Sequence, residues 1–425
     1  MREPSQPRAE PAGQLASQGL GLPLKAWTGL GRVIGRAGEG RLISFVENHL
    51  RSGVLTIEFP SGDRRTIRAP QPGVEADLLI RSWQTIRRLF AEGSVGFADA
   101  YIDGHWDSSD LGALLELLAG NRLGAKDDIN GQFWSKALQR LTHAKRPNTK
   151  QGSRRNIAAH YDVGNEFYQS WLDETMTYSS AIFAEPDMPL AEAQREKYRR
   201  LLDLIDPAPG ERILEIGCGW GGFAEFAARE RAVEVTSITI SEKQYDFARE
   251  RIRNAGLDNQ VSIEMRDYRD VTETYDHVAS IEMFEAVGEE YWPAFFDKVA
   301  SSIRPGGRAG LQIITINDEG YERYRNNPDF IQTHIFPGGM LPSIRVFREH
   351  VVDAGMRVLN DSFFGKDYAH TLHLWRERFE AAADTLTFEG LDERFRRLWR
   401  YYLAYCEGGF RAGTIDVMQV GLTRD

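Results

Sequence analysis

Eight residues near the middle of the chain carry the plainest chemical signal. Glu215-Ile216-Gly217-Cys218-Gly219-Trp220-Gly221-Gly222 follows a short apolar run and precedes a helical pattern through Phe223, Phe226 and Ala227. A buried strand, a tight glycine turn and a helix start make a ligand cradle, because glycine lets the backbone approach a bound molecule closely. The helix behind the turn adds free N–H groups and the positive end of its dipole. Two cofactor patterns fit. Gly217, Gly219 and Gly222 satisfy G-x-G-x-x-G, a dinucleotide signature. Glu215 with Gly217, Gly219 and Gly221 satisfies E-x-G-x-G-x-G, a pattern of S-adenosylmethionine (SAM) methyltransferases. The glycines alone leave both open.

The elements around the turn must hold it at the edge of a sheet. Val233 to Ile240 reads as a second strand, and Ser241 caps a helix from Glu242 to Ala255. Val261–Met265, Tyr275–Ile281 and Ala309–Ile316 read as further strands, with helices between them. This alternation predicts an α/β fold with a doubly wound parallel sheet, which binds ligands beyond the carboxyl ends of its strands. A helix around Phe395 to Tyr405 and a last strand from Thr414 to Leu422 close the chain. The second strand ends in Thr239, followed by Gln244, where a standard NAD site wants an acid for the ribose diol.

Upstream, an amphipathic helix over Leu42–Leu50 and a hairpin of Gly53–Phe59 with Arg65–Arg68 open a small α+β domain. The expected organisation is a disordered tail (1–39), the α+β domain (40–120), a basic linker (121–155) and a catalytic domain (156–425). Between Gly131 and Arg155 stand seven Lys or Arg and no acid, with Trp134 and Leu138 one helical turn apart. Such a segment reads as a solvated connector or as a surface that meets anionic lipid head groups. The segment from Asn156 to Phe183 is dense in aromatic and polar side chains and reads as site-forming.

A net charge of −10 over 425 residues argues against general nucleic-acid binding, with room left for local basic patches. Two cysteines give no metal spacing and fit a reducing compartment. No run spans a bilayer and the first residues lack a signal-peptide core, so the expectation is a cytoplasmic protein with only peripheral membrane contact.

Several motifs together resemble the cyclopropane-fatty-acyl-phospholipid synthase family, relatives of the mycolic acid cyclopropane synthases. They are Glu92-Gly93-Ser94-Val95-Gly96 with Tyr101 to Trp106, His160-Tyr161-Asp162-Val163-Gly164-Asn165, Thr177-Tyr178-Ser179-Ser180 and the glycine turn. Downstream they continue as Asp267-Tyr268-Arg269-Asp270, Met283-Phe284-Glu285, Ile335 to Gly339 with Leu341-Pro342-Ser343, Asp367-Tyr368 with Thr371-Leu372, and Phe410-Arg411. The resemblance covers about residues 40 to 424 and implies a class I SAM-methyltransferase (Rossmann-like) fold.

It implies transfer of a methylene group from SAM across a cis double bond in an acyl chain of a membrane phospholipid. The implied cofactor residues are Tyr178, Glu215, Gly217, Gly219, Gly221, Thr239, Gln244 and Tyr268. Methyl transfer leaves a carbocation on the lipid, which aromatic faces stabilise; Tyr161, Phe167, Tyr178, Phe284 and Tyr368 lie near the motifs. The family closes the ring with a bound bicarbonate as base, and the implied ligands are Ser180, Glu285, Gln312, Ile314 and Tyr368. Ser180 stands where many members have Cys, Gln312 where the best-known members have His, and Ala286 follows Glu285 where many have His. An amide donates to an oxyanion but does not titrate near neutrality. The resemblance also implies a homodimer, placed peripherally at the inner membrane face.

Gln312 motivates a second reading, methylation of the same alkene without ring closure. A non-catalytic lipid-binding protein and an NAD oxidoreductase are the readings from other classes. SAM binding separates the first of these from an enzyme, and NADH binding would mark the second.

Overall fold

The computed structural model describes residues 24–122, 152, 164–383 and 391–424, with side chains from residue 37 onward. His160, Tyr161, Trp134, Leu138 and most of the basic segment lie outside the described residues, as do residues 1–23.

The small domain begins earlier than the sequence suggests. Helix α1 spans Leu24–His49, so residues 24–39 belong to a helix rather than a disordered tail. Its glycines mask the apolar period in the sequence. Four strands, β1 (Ser52–Glu58), β2 (Arg64–Arg68), β3 (Gln71–Ile80) and β4 (Trp106–Asp107), pair in the order β2-β1-β3-β4. β1 and β2 form the expected antiparallel hairpin. Inward residues of β1 alternate with half-buried ones, as a one-sided sheet requires. Helices α2 (Gln84–Glu92), α3 (Ser94–Ile102) and α4 (Leu111–Gly120) complete the domain. Asp110 caps α4 by accepting from Ala113 N at 3.0 Å. Asn121, placed by sequence in the linker, accepts from the backbone N–H groups of Arg51 (2.6 Å) and Ser52 (2.9 Å) and so belongs to this domain.

The large domain is a seven-stranded sheet flanked by helices. Its strands are β5 (Arg212–Ile216), β6 (Glu234–Thr239), β7 (Val261–Met265), β8 (Tyr275–Ile281), β9 (Ile303–Ile316), β10 (Met356–Phe363) and β11 (Ile415–Arg424). They run in the order β10-β11-β9-β8-β5-β6-β7. β5 to β9 pair parallel, as expected. β11 runs antiparallel between β9 and β10, so the sheet is mixed at that edge. Helices α5 (Asn165–Gln169), α6 (Leu190–Ile205), α7 (Gly222–Arg231), α8 (Glu242–Asn254), α9 (Trp292–Ser302), α10 (Asp318–Asn326), α11 (Ile344–Asp353), α12 (Gly365–Ala383) and α13 (Glu393–Arg411) follow in chain order. The chain winds from β5 out to β7, then crosses back to β8 on the other side. The crevice beyond β5 and β8 is therefore the switch point where such sheets bind ligands.

The two domains share one hydrophobic core. Leu55, Ile57, Leu78 and Trp106 of the small domain are continuous with Trp171, Tyr368, Trp375, Trp399 and Leu403 of the large one. Polar contacts reinforce the joint: Arg397 of α13 donates to Tyr101 O (2.6 Å), Trp106 O (2.9 Å) and the Asp107 carboxylate (2.9 Å).

Candidate active site

β5 ends at buried Ile216, and the chain turns out of the sheet at Gly217 with φ +96°. The N–H groups of Gly217 and Cys218 both donate to Ile238 O at 3.0 Å, which anchors the turn to β6. The glycines then divide the work. A methyl group at Gly219 would have no atom within 4 Å, whereas one at Gly221 would press on the Ala248 side chain at 3.1 Å and one at Gly222 on Tyr198 Oη at 2.7 Å. Gly219 thus borders open space, Gly217 backs closely onto the Met283 side chain (3.0 Å from a methyl group built there), and Gly221 and Gly222 let α7 pack against α8 and α6. Gly221 does not line the cavity.

That open space is one end of a cavity of about 630 Å³. Tyr178, Glu215, Gly217, Gly219, Thr239, Gln244 and Tyr268 all line it. Thr239 Oγ1 accepts from Ser241 N and donates to Gln244 Oε1, both at 3.1 Å, so strand end and helix start are tied together. Glu215 is 2 % exposed and accepts from Ser237 Oγ; among the described residues it has no ion-pair partner. Burial pushes its carboxyl up to about 7. A ligand ammonium beside it would hold it ionised, which suits the amino-acid end of SAM. The Gly219 cradle and the cation-seeking carboxylate together fit that cofactor. Tyr178 presents its ring between Trp171 and Trp375 and shares a 2.6 Å hydroxyl contact with Tyr402.

Strand pairing fixes the other half of the site. β8 ends at Ile281, paired with Gln312 of β9, and Gln312 is in turn paired with Gln419 of β11. Glu282 follows at φ +48°, the left-handed region, which costs a side-chain-bearing residue about 1 kcal/mol. Its carboxylate collects three donors: Ser180 N (2.9 Å) and Gln312 Nε2 (2.7 Å) on Oε1, and Tyr368 Oη (2.7 Å) on Oε2. Gln419 Nε2 donates to Gln312 Oε1 at 3.0 Å, so the Gln312 amide must turn its N–H₂ toward Glu282.

Three residues on, Glu285 accepts from Ile314 N at 2.6 Å through Oε1, while its buried Oε2 has no partner. Burial, then the charge of Glu282, pushes Glu285 up to about 8. Lys197, fully buried on α6, donates to Ser179 Oγ at 2.6 Å. Burial pulls its ammonium down to about 7. Burial also raises Glu282, against the opposing charge of Lys197.

All five residues expected on the reaction side therefore converge, though around two carboxylates of the chain itself. The bicarbonate expected from the resemblance does not fit this arrangement. Ser180 N, Gln312 and Tyr368 are spent on Glu282, Ile314 N is spent on Glu285, and a further anion would sit against Glu282. Glu282, Lys197 and Gln419 are the residues that sequence reading missed. Two glutamates three apart at a strand end beside the switch point were the available signal. Of the aromatic residues expected around a cation, Tyr178 and Tyr368 line the cavity. Phe167 and Phe284 are each 1 % exposed and pack behind the wall, and Tyr161 lies outside the described residues.

The cavity continues from the carboxylates into apolar surface of the small domain, where Leu42, Phe45, Leu55, Leu78, Leu89 and Leu115 line it. Among the described residues no helix is long and apolar enough to cross a membrane.

Comparison with known proteins agrees with the fold. The family described as mycolic acid cyclopropane synthetase matches residues 148–420. Tuberculostearic acid methyltransferase UfaA1 of Mycobacterium tuberculosis is 39 % identical over 388 residues, covering 87 % of this chain and 88 % of the relative. The cyclopropane-fatty-acyl-phospholipid synthase of Escherichia coli K12 is 35 % identical over 353 residues, covering 82 % and 88 %. Among solved structures, mycolic acid cyclopropane synthase CmaA1 complexed with SAH and CTAB superposes with a TM-score of 0.60 at 30 % identity, over 64 % of this chain and 98 % of that one.

Proposed function

The chain belongs to the mycolic acid cyclopropane synthetase family of SAM-dependent methyltransferases, and from that premise we propose that it alkylates the cis double bond of unsaturated acyl chains in membrane phospholipids, forming cyclopropane chains. The observation that carries this reading is one continuous cavity, with a cofactor cradle at one end, carboxylates and aromatic rings midway, and apolar surface beyond. An acyl chain laid along the apolar part brings its alkene between the cradle and Glu282.

SAM, when bound, supplies an electrophilic methyl group. Gly217, Gly219, Thr239, Gln244, Glu215, Tyr178 and Tyr268 would hold it. The chain contributes positioning first, because an alkene is a weak nucleophile and gains most from a fixed, dry approach. Methyl transfer to one alkene carbon leaves the cation on the other. The rings of Tyr178 and Tyr368 face that charge, and the Glu282 carboxylate adds an anion nearby. Loss of a proton from the new methyl group then completes the product.

A second reading has one specific support: the 39 % identical relative is named as a methyltransferase rather than a ring-closing synthase. In that case a hydride first shifts from the methylated carbon to its cationic neighbour, and proton loss from the methyl group then yields a methylene branch. Purified protein with SAM and unsaturated phospholipid vesicles tests both, read by mass spectrometry and proton NMR. Cyclopropyl protons are expected; a terminal =CH₂ signal without them replaces the first reading by the second, and unchanged lipid refutes both. Peripheral binding at the inner membrane face and a homodimer belong to the same proposal. Vesicle flotation that rises with anionic lipid and falls with salt is the expected behaviour.

A further inference from the structure

We propose that the carboxylate of Glu282 is the general base of this reaction, standing in the place where the family resemblance puts a bicarbonate. The inference deepens the alkene-alkylation reading and rests on it. Three observations converge. The donors implied as bicarbonate ligands, Ser180 N, Gln312 Nε2 and Tyr368 Oη, all point at Glu282, at 2.9, 2.7 and 2.7 Å. The Gln312 amide is held in the donating orientation by Gln419, which is itself fixed by a 3.0 Å hydrogen bond to Lys197 O. The backbone at Glu282 adopts φ +48°, a conformation that ordinary side chains avoid, and so turns this carboxylate off the end of β8 toward the cavity that it lines.

A carboxylate offers about four lone-pair sites. Two donors occupy Oε1 and one occupies Oε2, so among the described residues Oε2 keeps one lone-pair site, on a residue that lines the cavity. In the step, a C–H bond of the transferred methyl group breaks and its proton moves to Oε2. The released electron pair forms the C–C bond to the cationic carbon and closes the ring; in the methylene product a hydride first shifts from the methylated carbon to its cationic neighbour, and the pair then forms the π bond between the methyl carbon and the carbon that bears it. Glu282 ends as a neutral acid and returns its proton to solvent after product leaves. No oxidant, reductant or second anion takes part.

The test uses the full chain, SAM and unsaturated phospholipid vesicles, in buffer freed of carbon dioxide and in the same buffer with added bicarbonate. Wild-type turnover is expected to be equal in the two. Glu282→Gly empties the slot and suits the left-handed backbone; its turnover is expected to fall on the order of 10²-fold without bicarbonate and to recover when bicarbonate is added. Glu282→Gln fills the slot with an amide and is expected to fall as far without recovery. SAM affinity and melting temperature near wild type verify that the variants fold. A wild type that needs bicarbonate overturns this inference while leaving the alkylation reading intact, and so does full turnover in Glu282→Gln. The wild-type comparison decides even if neither variant folds. A wild type that alkylates no lipid in either buffer overturns the functional reading and this inference with it.

Discussion

The two ends of the cavity are built on opposite plans. At the glycine turn the chain withholds side chains: Gly219 leaves open space, Gly217 leaves room only for the Met283 side chain behind it, and buried Glu215 has no cation of its own among the described residues. Beyond β8 and β9 the chain does the reverse. Glu282 arrives with three donors already on it; Gln419 orients the Gln312 amide, and Lys197 holds Ser179, the neighbour of Ser180. One end is an empty mould for a visiting group; the other is a finished device. Binding a cofactor that comes and goes calls for vacancy, whereas holding a reacting proton acceptor in a water-poor slot calls for groups fixed before the reaction begins.

Removing donors from the finished end should produce the largest effects after loss of Glu282 itself. Tyr368→Phe and Gln312→Ala each strip one charge-assisted hydrogen bond, so turnover should drop about 10- to 10²-fold with SAM affinity unchanged. Steady-state kinetics paired with calorimetry would expose a failure as an equal loss in both quantities. The mould should respond in the opposite sense: Gly219→Ala intrudes on the cradle and should weaken SAM binding about tenfold while turnover at saturating SAM changes less. If turnover alone falls, the contrast between the ends breaks down.

Lys197→Met addresses the charge balance. The ammonium of Lys197 opposes the upward push of burial on Glu282, so its removal should move the acid limb of the rate profile to higher pH, with the plateau little altered. An unmoved limb would disconnect Lys197 from the base. The smallest effect concerns Glu285. Its folded value, about 8, lies above the ordinary 4.5, so the stability associated with its neutral form is complete below pH 4.5 and is lost as pH rises toward 8. Glu285→Gln should therefore melt a few degrees above wild type at pH 8 and equally with it near pH 4. Its turnover should fall more than its SAM affinity; unchanged turnover removes Glu285 from the mechanism.

The contrast also explains what could be read from the sequence. The mould is local. A strand, a glycine turn and a helix start follow one another within about a dozen residues, and the parallel strands β5 to β9 announce themselves through β-branched runs and turn residues. The finished end is not local. Ser180, Glu282, Gln312 and Tyr368 come from four separate segments: the pairing of β8 with β9 sets Glu282 beside Gln312, and hydrogen bonds from a loop and from α12 add Ser180 and Tyr368. Glu282 stands just past the fourth parallel strand, β8, and nothing beside it in sequence marks its donors. The edge strand β10 was missed for a related reason: most of its residues are exposed or half-buried, so no alternating apolar pattern betrays it. The first part of helix α1 is hidden in the sequence because its repeated glycines imitate a loop, while buried Leu42 and Val46 mark its packed face.

The left-handed backbone at Glu282 has an hereditary consequence. Glycine fits that conformation without strain, and the codons for glycine and glutamate can differ by a single base. A chain of this fold can therefore exchange a bare turn for one that bears its own proton acceptor in one mutational step, with no rebuilding of the loop. On the inference drawn above, dependence on dissolved bicarbonate becomes a trait that a lineage can gain or shed by point mutation, and residue 282 is the place to look for that history.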